Sequence, residues 1–213
     1  VSFRISNAVG GHSGDDIDKG RANAVQLLAR FLYSIVDTDI YIKEIDGGNK
    51  RNAIAREARA VVAVSDAGTA MECFAEFART VKAEYASVEP ELTLAAEEVE
   101  EPVGEVISLD DTWRIVTALF SAPHGVLAMS NDIKGLVETS TNLASVKMVS
   151  PGKIRVGTSQ RSSLTSARRM AGAKVEAAFR LAGAEVTHES EYPGWQPNMD
   201  SHILEVSRAA YRK

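Results

Sequence analysis

Along this chain the spacing of apolar residues switches repeatedly between two residues and about 3.6, which calls for strands and helices packed in layers. Val1, Phe3 and Ile5 alternate with Ser2, Arg4 and Ser6, the pattern of a half-buried strand that Gly10-Gly11 ends. Helical spacing follows at Val25, Leu28, Leu32 and Ile35, with Phe31 widening the stripe. Ile40 to Ile45 predicts a strand closed by Gly47-Gly48, and Ala58 to Val64 predicts its hairpin partner across a long loop. Met71, Phe74, Phe77, Ala78, Val81 and Tyr85 predict a second amphipathic helix. Leu92 to Ala96 then forms a short strand before the acidic run Glu97 to Glu101. The order over this half is β-α-β-β-α-β.

Ser108-Leu-Asp-Asp111 fits a capping box in its weaker Asp form, ahead of Trp113, Val116 and Phe120 on a helix. Leu143 to Val149 and Ile154 to Gln160 predict strands joined by the turn Ser150-Pro-Gly-Lys153, where Pro presets φ and Gly accepts a positive one. Ala171, Val175, Ala178, Phe179 and Ala182 mark another helix, Gly183 its C-terminal cap, and Glu185 to Ser190 a returning strand. After the turn-rich Tyr192-Pro-Gly-Trp-Gln-Pro197, a last helix begins at Ile203, Val206 and Ala210. The second half, α-β-β-α-β, largely repeats the first in element order, although no residue-level repeat is visible. The expected fold is α+β and two-lobed, with antiparallel sheets faced by helices and a boundary near Pro102.

A chain of 213 residues buries roughly two thirds of its unfolded surface, enough for one large core or two small ones. No apolar run approaches bilayer length, so no membrane partner is expected. The net charge of -5, without Lys and Arg clustered among aromatics, argues against a nucleic-acid partner. No export signal is visible at the N-terminus, and a cytoplasmic location is expected. The single cysteine, Cys73, cannot form an internal disulfide and is expected to be a buried free thiol.

Three residues stand out for chemistry. The loop Gly10-Gly-His-Ser-Gly14 lies between a strand and a helix. Its backbone N–H groups could face an anion, or it could be a tight turn with Ser13 as helix cap. His12 in that loop could donate to a developing oxyanion or take a proton, the alternative being a solvated loop histidine. Arg161, at a strand end before a helix that Ser163 would cap, has a fork that suits a carboxylate, while spacing alone favours an Arg that satisfies strand-end carbonyls or pairs with a nearby acid. Asn52, between two strands, serves a turn by default or a ligand. No metal site is expected: His12, His124, His188 and His202 are scattered, and the acidic run reads as a solvated loop.

Six ordered stretches carry a resemblance. Gly10-Gly-His-Ser-Gly14 with Gly20-Arg-Ala-Asn-Ala24, Arg51-Asn-Ala-Ile54 with Arg56-Glu57, Pro123-His-Gly-Val126, Val137-Glu-Thr-Ser140 with Asn142, Arg161-Ser162, and Tyr192-Pro-Gly-Trp-Gln-Pro197 span nearly the whole chain. In order and spacing they resemble the lid domain of the aminoacyl-histidine dipeptidases, in the wider clan of di-zinc aminopeptidases, carboxypeptidases and deacylases. The resemblance implies a lid, residues 1–190 with lobes of about 1–101 and 102–190. Residues 191–213 would be the connector and helix returning to a catalytic domain that lies outside this chain. It implies a parent that hydrolyses Xaa-His and related dipeptides with two zinc ions, no cofactor on this chain, and inactivity of the chain alone. By the same resemblance His12 hydrogen-bonds the scissile carbonyl, and Arg161 and Asn52 hold the substrate's C-terminal carboxylate. The implied partners are a dipeptide, the chain's own catalytic domain and a second copy in a homodimer. Where the family usually has Pro, Ala55 stands here, so a less rigid Asn52 loop is expected. The alternatives are a standalone amino-acid-sensing or oligomerisation module, and deacylase or aminotripeptidase chemistry in the parent.

Overall fold

A computed structural model describes residues 1–100, 103–196 and 198–211. The strands are β1 (Ser2–Ser6), β2 (Gly11–His12), β3 (Ile40–Gly48), β4 (Ala53–Ile54), β5 (Ala58–Val64), β6 (Thr93–Glu97), β7 (Gly125–Met129), β8 (Val137–Ser150) and β9 (Lys153–Ser162). The helices are α1 (Ala24–Ser34), α2 (Ala67–Glu84), α3 (Leu109–Ser121), α4 (Thr165–Leu181) and α5 (His202–Tyr211). An antiparallel seven-stranded sheet runs β6-β1-β5-β3-β8-β7 with β9 on the other edge of β8, and β2 pairs with β4 in a separate ribbon.

β8 joins the halves. Its early residues pair with β7, ending at Thr141 opposite Gly125, and its later ones pair with β3, from Ser145 opposite Gly48. The two halves therefore share one sheet. The expected boundary residue Pro102, with Glu101 and Pro197, lies outside the described residues. Between the two partners, residues 142–144 face a break in the pairing, and side chains fill it. His124 Nδ1 accepts the Leu143 N–H at 3.2 Å, and Asn23 Nδ2 donates to the Leu143 carbonyl at 2.8 Å. Asn23 also caps α1, its Oδ1 accepting from the Val25 and Gln26 N–H groups.

The core lies where α1 and α2 cover the sheet. Phe3, Phe31 and Phe74 pack there with ring centroids 4.7 to 4.9 Å apart, each pair near the edge-on or tilted geometry aromatic quadrupoles favour. α3 packs on α1 and α4, extending this core into the second half. Ser108 caps α3 as its sequence predicts, accepting the Asp111 N–H at 3.2 Å, and Gly183 ends α4 at a φ of 81°.

Five local expectations need correction. Glu185 to Ser190 is irregular rather than a strand, and it runs beside α4, where His188 bonds Glu176 at 2.9 Å instead of entering a sheet. Gly47 and Gly48 lie inside β3 rather than after it, because Val25, Ala58 and the Ala144 backbone leave no room for a Cβ. Cys73 is exposed, since the buried stripe of α2 runs through Ala70, Phe74 and Val81 and turns position 73 outward. Ser13 caps no helix, because α1 begins only at Ala24. Ser163 caps none either: Leu164 holds that position in α4, with Ser162 Oγ accepting its N–H at 3.0 Å.

His124 carries a pH dependence. Burial pushes its pKa down to about 4, and its Nδ1 is committed as an acceptor, so the folded ring is neutral. The unfolded chain takes up that proton near pH 6.5. The contribution is therefore complete above about pH 6.5 and is lost as pH falls toward 4, at about 1.4 kcal/mol per pH unit inside that window. Urea unfolding at pH 7, 6 and 5 should show this slope in the native protein, and His124→Gln should flatten it.

Candidate functional site

The site is assembled by a short ribbon and the end of a long strand. Gly11 pairs with Ile54 and His12 with Ala53, so the loop bearing His12 and the turn bearing Asn52 are one backbone unit. The Ser13 N–H extends it, donating to the Asn52 carbonyl at 2.9 Å. Glu89 ties down both ends of the His12 loop: its carboxylate accepts the Val9 N–H at 2.6 Å and the Ala22 N–H at 2.8 Å while 4% exposed. Nothing in the local sequence around Glu89 signals this role, because its partners lie 67 and 80 residues away.

The His12, Ser13, Gly14 and Asp15 N–H groups already have partners within the fold, which counts against the anion-cradle alternative. Asp16 Oδ2 accepts the His12 N–H at 2.8 Å, and His12 Nδ1 faces the N–H groups of Gly14 at 3.4 Å and Asp15 at 3.3 Å. The helix N-terminus that would have added its dipole belongs to Ala24, past the loop. Asp16 is itself held below the usual carboxylate range, chiefly by Lys19 and then by the His12 N–H.

These contacts decide what His12 offers. A neutral ring that accepts backbone N–H at Nδ1 carries its proton on Nε2. A protonated ring pairs Nδ1–H with Asp15 at 3.0 Å and still carries a proton on Nε2. The other neutral tautomer donates Nδ1–H to Asp15 Oδ2 at the same 3.0 Å and leaves Nε2 as an acceptor. His12 therefore presents an Nε2–H donor when its Nδ1 accepts the Gly14 and Asp15 N–H groups.

Arg161 arrives from the other half of the chain. β9 is held to β8 with Arg161 opposite Ser140, which brings the guanidinium beside the His12 loop. Arg161 Nε points to Ser13 Oγ at 3.4 Å and Nη1 to Tyr192 Oη at 3.5 Å, and no carboxylate pairs with it among the described residues. Hydroxyls orient the fork without neutralising it. Gly14 separates the two groups: a Cβ there would stand 3.2 Å from the His12 ring and 3.5 Å from Arg161 Cδ.

Arg161 and Asn52 line one cleft of about 590 Å³, with Arg168, Arg169, His188 and Tyr192. That volume suits a small molecule. Glu191 occupies Arg168 at 2.6 Å and Arg169 at 3.2 Å, and those two arginines hold its carboxyl below the usual range. Asn52 is exposed at a turn whose carbonyls are all anchored, so the loop with Ala55 in place of Pro is held by hydrogen bonds, and Ala55 itself is buried. Among the described residues no three His, Cys, Asp or Glu side chains are grouped to hold a metal ion, and no helix is long and apolar enough to cross a membrane. The acidic run begins at the exposed end of β6.

The helix-faced antiparallel sheet places the chain in a class that comparison with known proteins makes explicit. Residues 4–89 match the family model of the peptidase dimerisation domain. Within the class, the chain is homologous to dipeptidases. It is 33% identical over 208 residues to the cytosol non-specific dipeptidase of Escherichia coli strain K12, covering 96% of this chain and 42% of that protein. It superposes on the crystal structure of aminoacylhistidine dipeptidase from Vibrio alginolyticus with a TM-score of 0.93 at 34% identity, covering 99% of this chain and 43% of that one. The chain thus spans about two fifths of the length of the relatives it matches.

Proposed function

We propose that this chain is the substrate-binding lid of a zinc-dependent cytoplasmic dipeptidase acting on Xaa-His and related dipeptides. Residues 1–190 would form the lid, and 191–213 would lead back to a catalytic domain that carries the zinc ions. The observation that carries the reading is the meeting, across Gly14, of the His12 ring and a guanidinium that pairs with no carboxylate among the described residues.

A dipeptidase must recognise a scissile carbonyl and a free carboxylate one residue beyond it. His12 supplies a donor for the first, and the fork of Arg161 with the Asn52 amide supplies donors for the second. The glycine between them keeps the space open for a substrate backbone. Closure of the lid over the catalytic domain would bring these donors to a bound dipeptide and exclude water. No step runs through a metal on this chain. The family description makes a homodimer the expected assembly, which sedimentation of the full-length protein would test.

The carboxylate assignment has a direct test. In the full-length enzyme, Arg161→Ala should raise KM for Ala-His about tenfold, since a charged hydrogen bond is lost, and leave KM for the C-terminal amide of Ala-His almost unchanged. An equal effect on both substrates would reject Arg161 as the carboxylate ligand.

A further inference from the structure

We propose that Asn142 is a positioning residue, a β8 side chain whose amide holds the carbonyls on both sides of Asn52 and sets that residue's place in the cleft. The inference rests on the reading of Asn52 as a substrate ligand. Asn52 sits in an exposed two-residue turn, the kind of segment that ordinarily samples several conformations. Here it does not stand free. Asn142 Nδ2 donates to the Ala53 carbonyl at 2.8 Å and to the Arg51 carbonyl at 3.2 Å. Ser159 Oγ donates to the same Arg51 carbonyl at 2.8 Å, and the Ser13 N–H takes the Asn52 carbonyl at 2.9 Å. Three consecutive carbonyls are thereby fixed.

The clamp also sets distances between the proposed ligands. Asn142 and Ser159 are register partners on β8 and β9, and Ser159 precedes Arg161 by two positions on the same strand face. The turn of Asn52 is thus pinned to the strand that carries Arg161, while Ser13 pins it to the loop of His12. A primary amide suits this position because one nitrogen offers two donors. Aspartate would face two carbonyls with a negative charge, and serine could reach one of them.

A second observation separates this residue from ordinary packing. Asn142 is 1% exposed, and its Oδ1 is buried with no hydrogen-bond partner among the described residues. A buried acceptor left without a partner is unfavourable for stability. Retaining the amide there makes sense through its nitrogen, whose two bonds both serve the Asn52 turn.

The test uses the full-length enzyme with Ala-His and its C-terminal amide, comparing Asn142→Ala, Asn52→Ala and the double variant. Asn142→Ala should raise KM for Ala-His about tenfold, spare the amide substrate, and add nothing in the Asn52→Ala background. Asn142→Leu keeps the volume without the donors or a buried charge and should give the same split if the alanine variant does not fold. A loss of kcat shared by both substrates, or one that persists without Asn52, would overturn the positioning role and leave Asn52 intact as a ligand. If Asn52→Ala itself does not distinguish the substrates, the reading of Asn52 falls, and the role of Asn142 falls with it.

Discussion

Replacing His12 by alanine in the full-length enzyme should lower kcat for Ala-His by 100-fold or more, with a much smaller change in KM. With Nδ1 accepting the Gly14 and Asp15 N–H groups, the ring carries its proton on Nε2, so the donor is in place before the reaction begins. A preorganised donor of that kind contributes about 3 kcal/mol at the transition state, where charge gathers on the carbonyl oxygen, and little in the ground state. The loss therefore falls on kcat. His12→Gln, which restores an N–H on a longer arm, should recover part of the activity. Steady-state kinetics decide the matter. A change confined to KM would place His12 in substrate binding, and a change below threefold would remove it from the reaction.

The second large effect is structural. Gly48→Ala should cost about 3 kcal/mol or more of folding stability, the sum of a left-handed backbone penalty and a collision with main chain. Gly48 has a φ of 61°, and a Cβ on it would overlap the Ala144 carbonyl oxygen. The pairing it would disturb is the short ladder of Asp46, Gly47 and Gly48 against Lys147, Val146 and Ser145, the contact through which β3 meets β8. Gly152→Ala is the control, because Gly152 shares a positive φ of 69° but faces open space, and it should cost about 1 kcal/mol. Urea midpoints of the two variants should differ clearly. Equal midpoints would mean that the β3–β8 junction yields to accommodate a methyl group.

Much of the fold could be read locally. The stripe of Val25, Leu28, Phe31 and Leu32 marked α1, and Phe74 with Val81 marked α2. The turn Pro151-Gly152 announced the β8–β9 hairpin, and its ends pair at Ser150 and Lys153. Other elements left no such trace. β2 and β4 are two residues each, too short for any period, and exist because they pair with one another. β7 follows Pro123 as a plain apolar run, Gly125 to Met129, which has no alternation to separate strand from helix. Glu185 to Ser190 has the composition of a strand but pairs with no strand among the described residues, and His188 bonds Glu176 of α4 instead.

The candidate site divides the same way. His12, Asn52 and Arg161 could be singled out because glycine-flanked, turn and strand-end positions expose side chains that carry hydrogen-bonding chemistry. Their meeting could not be read, since the bond from Arg161 to Ser13 spans 148 residues and depends on the register of β8 with β9. Glu89 was silent for the same reason, and Asn142, although part of a resembling stretch, gave no sign of its partners, because each acts on backbone groups far away in the chain. Apolar periodicity and turn chemistry are properties of neighbouring residues, so the sequence by itself determined the segments and the residues able to do chemistry. Which edges pair, which backbone groups receive a buried side chain and which way the Arg161 fork points depend on contacts among distant segments. The tertiary structure alone decided those.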